Sequence, residues 1–153
     1  MTKFEDAVKA LADQRREHFL TCKPSELIML ALEDLEKVEK LKDIYRVDMG
    51  VYHDPEDDGR CAVCFAGSVL AQTMKHAPTV NWHFMTDGPK VAHRCMALDS
   101  FRSGDIWHGL ETLEIEPPLN VRESIRIADY EHDPIDFKSG LRWIAKHLAE
   151  RGL

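Results

Sequence analysis

The chain has 153 residues, 44% hydrophobic and 8% aromatic, with 27 Asp plus Glu against 20 Lys plus Arg and a net charge of −7. That length and apolar content suit one helical domain over 1–153, which can bury roughly 70% of the surface its unfolded form exposes without needing disulfides or a metal. They exclude a disordered chain, and the longest nearly apolar stretch, 61–71, falls short of the ~20 residues that span a bilayer.

Residues 3–20 place Phe4, Val8, Leu11 and Phe19 among charges, the spacing of an amphipathic helix with one face to bury. Pro24 suits a first helical turn and starts a second helix, whose apolar positions Ile28, Ala31, Leu35, Val38, Leu41 and Tyr45 step by three or four. The stretch 47–60, with two glycines, a proline and five acids, reads as a loop. The next segment, about 61–75, is apolar almost all the way round, as a helix in the middle of a domain is, and its small residues Ala62, Ala66, Gly67 and Ala71 admit close neighbours. Val80, Trp82 and Phe84 alternate like a strand or an ordered loop.

Val91, Cys95, Leu98 and Phe101 mark a further helix ending at Ser103-Gly104, and Asp105 is placed to cap another that Pro117-Pro118 ends. Asn120 and Glu123 have capping-box spacing, which predicts a short helix through about Ala128. Asp133-Pro134 opens the last helix, with Phe137, Leu141, Ile144 and Leu148 on one face and Gly152 at its end. The expected fold is all-α or nearly all-α, a compact globule of five to seven helices around the central apolar helix.

Charge is uneven, with 15 acidic and 10 basic residues in 1–60 against 12 and 10 in 61–153. No basic stripe interleaved with aromatics is present, so direct nucleic-acid binding is not expected. An acidic front can instead meet a basic groove on a protein partner, a nucleic-acid-binding protein among the candidates. The residues expected to do so are Glu33, Glu36 and Glu39, then Asp54, Glu56, Asp57 and Asp58, with Trp82 as an aromatic anchor. The plainer reading of such acids is a solvated face.

Cys61-Ala-Val-Cys64 is the motif closest to chemistry, since paired thiols can exchange electrons or supply half of a zinc site. Zinc would need two more ligands, for which His53 and Cys95 are candidates. Packing is the favoured reading, because free Cys is among the most buried residue types, so no cofactor is expected and zinc is the one candidate. Asp54-Pro-Glu56-Asp-Asp58-Gly59 opens like a calcium loop, but its twelfth position is Phe65, which offers no carboxylate. Phosphate-loop and nucleophile-elbow patterns are missing, and an enzyme is not the leading expectation. Residues 1–6 carry no signal-peptide apolar core, so a cytoplasmic location and reduced thiols are expected.

Several fragments in order, Pro24-Ser25-Glu-Leu27-Ile28, Val47-Asp48-Met49, Cys61-x-Val63-Cys64-x-Ala66-Gly67 and Ala97-Leu98-Asp99, resemble small, largely uncharacterised proteins of tailed bacteriophages. The resemblance covers roughly residues 23–110 and carries over no catalytic residues. It implies a phage accessory protein that binds and inhibits or redirects a host protein in the bacterial cytoplasm. Two alternatives stand beside it: a small zinc- or thiol-dependent enzyme centred on Cys61 and Cys64, and a self-assembling phage component that forms a homo-oligomer.

Overall fold

The structure is a computed structural model that describes residues 2–51, 53–73, 94, 97–98, 108, 110–125 and 127–153. The expectations for 79–85, Cys95 and the helix caps near 103–105 fall outside these residues. The chain is largely helical, with one small sheet.

Helix α1, Lys3–Thr21, begins where Thr2 and Glu5 form a reciprocal capping box, the Thr2 hydroxyl accepting from the Glu5 N–H and the Glu5 carboxylate accepting from the Thr2 N–H. Its C-terminus is closed from a distance: Arg94 donates to the carbonyls of Phe19 and Cys22, placing a cation at the negative end of the helix dipole. Pro24 then occupies the first turn of α2, Pro24–Lys40, and Glu26 accepts from the Lys23 N–H.

A sheet follows where the sequence predicts a loop and the start of a helix. Strands β1, Tyr45–Val47, β2, His53–Pro55, and β3, Cys61–Val63, lie in the order β1-β3-β2, with β3 parallel to β1 and antiparallel to β2. Asp57-Asp58-Gly59 turns the β2–β3 hairpin, with Gly59 at φ 85, the left-handed position such a three-residue loop reserves for glycine. Pro55 is tolerated because β2 is an edge strand. The predicted central helix therefore begins later, as α3, Phe65–Thr73, because the amides of 61–63 are taken up by partners from two other segments. From Phe65 to Val69 every residue is buried, as a central helix requires.

Residues 94, 97–98, 108 and 110–112 are also helical, and helices α4, Leu119–Ser124, α5, Ile127–His132, and α6, Pro134–Glu150, follow them. The predicted capping box at Asn120 does not form: Pro118 holds the cap position of α4, Asn120 lies inside the helix, and the expected single helix is two short ones. The start of α6 is as predicted, the Asp133 carboxylate accepting from the Asp136 N–H at 3.0 Å.

The interior is organised by α2, which packs against α6 on one side and against α3 and β1 on others. Leu27, Ile28, Ala31 and Leu35 of α2, Phe65 and Val69 of α3, and Phe137, Leu141 and Ile144 of α6 belong to one buried cluster. Phe137 receives Phe65 and Tyr130 edge-on, with ring centroids 6.1 and 5.4 Å away. Within this core Asp34 of α2 is fully buried and pairs with Arg15 of α1, while one Asp34 carboxylate oxygen and the Arg15 Nε lack hydrogen-bond partners. Burial lowers the Arg15 pKa, partly opposed by Glu33.

Where α4 crosses α6, a Cβ at Gly140 would lie 2.3 Å from the Ser124 Oγ and 2.7 Å from the Ile125 Cγ2. The Ser124 hydroxyl donates to the Val121 carbonyl and Ile125 is fully buried, so neither has free room to yield. Gly140→Ala, which in an open helix would stabilise, is expected to lower unfolding free energy by about 1–3 kcal/mol. Urea denaturation checks this, with Ser139→Ala as the exposed control on the same helix.

Candidate functional site

The acids predicted to meet a partner divide into two groups according to what the fold places beside them. Glu36 accepts from Arg142 of α6 at 2.9 Å. Glu39 accepts from both Lys138 of α6 and the Tyr130 hydroxyl of α5, the latter at 2.7 Å. Glu33 pairs along its own helix with Lys37 at 3.0 Å, and that contact is the main reason its pKa is lowered. The acids of this α2 face therefore border the contact with α6, Glu39 part-buried in it and Glu36 paired at its exposed edge, while Glu33 stands clear of it.

The hairpin acids behave differently. The Arg46 Nε–H is shared between the two Glu56 carboxylate oxygens at 3.0 Å and the Arg46 Nη2 donates to the same carboxylate, while Asp58 accepts from the backbone and side chain of Arg60 at 2.9 and 2.8 Å. Each contact holds its carboxyl below the usual range, for Glu56 chiefly through Arg46 and for Asp58 chiefly through the Arg60 amide. Asp54 and Asp57 are exposed and make no ion pair among the described residues. The calcium-like spacing of 54–59 is therefore taken up by a β-hairpin in which Glu56 and Asp58 turn to separate arginines rather than to a shared centre.

Cys61 and Cys64 fall in different settings despite their spacing. Cys61 is half-buried on β3 opposite Tyr45, whereas Cys64 is buried at the start of α3. The Cys64 sulfur accepts from the Gly67 N–H at 3.4 Å and its carbonyl accepts from the Ser68 hydroxyl at 2.8 Å, so this thiol serves as a helix cap. Among the described residues no group of three or more metal-ligating side chains stands together. Cys95 and Trp82 lie outside those residues, and of His53 the structure describes the backbone alone, in β2. A third thiol, Cys22, is buried at the end of α1, and burial raises its pKa, opposed by Arg94 beside it.

The sequence reading missed the surface of α1. Phe19 at its C-terminal end is fully buried, but the stripe that continues along the helix is not: Phe4 is 77% exposed and Leu11 67%, with Val8 between them half-buried. Amphipathic spacing located these residues on one face but could not tell which of them the fold covers. Among the described residues no helix is long and apolar enough to cross a membrane. No known protein family, curated protein or solved structure matches the chain.

Two measurements follow from these contacts. Burial and the Glu39 carboxylate raise the Tyr130 pKa, so the fold favours the protonated phenol; its contribution is complete at neutral pH and is lost as pH climbs past the ordinary tyrosine value of about 10. Tyr130→Phe is expected to cost about 1 kcal/mol at neutral pH and to reduce the loss of stability above about pH 10, as followed by urea denaturation across that range. Under native alkylation read by peptide mass spectrometry, Cys61 is expected to react before Cys22, because the Cys22 sulfur is both buried and held in its protonated form.

Proposed function

We propose that this protein acts by binding another protein, as a phage accessory factor that occludes a basic surface of a host protein. The observation that carries the reading is the exposed apolar stripe of α1, on a helix capped at both ends and anchored at its C-terminal end by the buried Phe19. Large apolar side chains aligned on one face gain from desolvation against a partner, and aromatic residues such as Phe4 contribute heavily at interface centres. Net charge selects the partner's sign. At −7, with Asp54 and Asp57 unpaired at the hairpin, the surface field favours encounter with a basic protein.

This reading shifts the expected contact away from Glu36 and Glu39, whose carboxylates already hold α6, toward Glu33, Asp54 and Asp57. Reversing Glu36 or Glu39 would confound binding with folding, because it would set like charges against Arg142 or Lys138.

The test uses two double variants at exposed positions, Phe4→Asp with Leu11→Asp and Asp54→Lys with Asp57→Lys. Host-lysate capture with cross-linking identifies a partner, and binding kinetics are then measured on the purified pair at several salt concentrations. The stripe variant is expected to speed dissociation by at least about tenfold, and the hairpin variant to slow association and flatten its salt dependence. Kinetics unchanged in both variants would overturn the proposal. A protein that self-associates in sedimentation, and stops doing so in the stripe variant, would instead be the self-assembling component.

A further inference from the structure

A cleft of about 710 Å³ opens between the C-terminal end of α2, the β1 side of the sheet and α6. Its cationic lining comes from Lys40, Lys42, Arg46, Arg60 and Lys138. Against these five stand two lining carboxylates, Glu36 and Glu39, and three more that pair with the arginines from just outside the lining, Asp48, Glu56 and Asp58, in a chain whose net charge is −7. Glu36 pairs with Arg142 and Glu39 with Lys138, so these charges are compensated locally. Arg46 and Arg60 are held by Asp48, Glu56 and Asp58, none of which lines the cleft. Lys40 and Lys42 make no ion pair among the described residues. Lys40 has a structural reason to be there, since it complements the helix dipole in the last turn of α2, but Lys42 lies beyond the helix in the following turn. Tyr45 adds a half-buried ring and a hydroxyl that makes no hydrogen bond among the described residues.

From this lining we infer that the cleft is a binding site for a phosphate-bearing small molecule, with Lys40 and Lys42 as its principal charge contacts and the Tyr45 hydroxyl as a donor. Volume and field select a small ligand. The cleft lies within the range of about 300–1,000 Å³ typical of small-molecule sites. A long polyanion would extend beyond the cleft into the field of a chain whose net charge is −7, whereas a short anion meets Lys40 and Lys42 alone. Burial raises the Tyr45 pKa, so its hydroxyl stays protonated and able to donate at neutral pH.

Titration calorimetry with pyrophosphate, ADP and adenosine tests this at about 0.15 M salt. Pyrophosphate and ADP are expected to bind and adenosine not to; tighter binding of ADP than of pyrophosphate would assign the site to nucleotides, and equal binding to the phosphate groups alone. Lys40→Ala with Lys42→Ala is expected to weaken both anions by at least about tenfold. Both lysines are exposed, so the variant keeps the fold, and circular dichroism verifies that. Lys3→Ala with Lys9→Ala removes the same charge from exposed positions on α1 and is expected to leave binding unchanged. The inference is overturned if neither anion binds at ~1 mM, if the α1 variant weakens binding as much as the cleft variant, or if a duplex oligonucleotide binds more tightly than ADP.

Discussion

The packing of α2 against α6 is the contact around which the other elements are placed. Apolar residues of both helices meet in one cluster, and the seam is edged by Glu36 with Arg142 and Glu39 with Lys138. Removing apolar area from water supplies most of the attraction, while the charged edge fixes how the two helices align. The same helix α2 meets α3 and β1 on its other sides, so an error in its orientation would reach both the sheet and the central helix. Gly140 shows how close the packing is, because α4 approaches α6 at a position with no room for a methyl group.

That arrangement also decides which charges remain for other molecules. A carboxylate already accepting from two partners, as Glu39 does, contributes less field at the surface than its formal charge suggests. Among the described residues, Asp54 and Asp57 on the β2–β3 hairpin and Lys40 and Lys42 at the far end of α2 are among the charges that make no ion pair. A strongly negative chain can therefore carry a positive cleft, since compensation is settled pair by pair within a few ångströms and net charge is only their sum.

Arg15 and Asp34 form a different kind of pair. Asp34 is fully buried, and each residue keeps a polar atom without a hydrogen bond, so the desolvation of the two charges offsets much of their attraction. The pair fixes α1 against α2, and the apolar stripe of Phe4, Val8 and Leu11 lies on the N-terminal side of it. An interaction that contributes little to net stability can still set the direction of α1 relative to α2.

Local chemistry in the sequence determined where α2 and α6 begin, but not where α2 ends: the apolar spacing carries Leu41 and Tyr45 on the helix, whereas α2 stops at Lys40 and Tyr45 opens β1. Pro24 and the Asp133-Pro134 pair act through hydrogen bonds and backbone angles within a few residues, and both are found where the sequence places them. The same holds for the largely helical fold and for the burial of Cys64, which follows from its apolar surroundings. The tertiary structure alone decided that Cys61–Val63 is a strand, since its partners lie in two other segments and no local pattern records them. It alone decided that Glu36 and Glu39 face α6 while Phe4 and Leu11 face solvent, because a helical period assigns residues to a face without saying what that face meets. The cationic cleft was hidden for the same reason: its lysines and arginines are separated along the chain and gather only where α2, β1 and α6 converge.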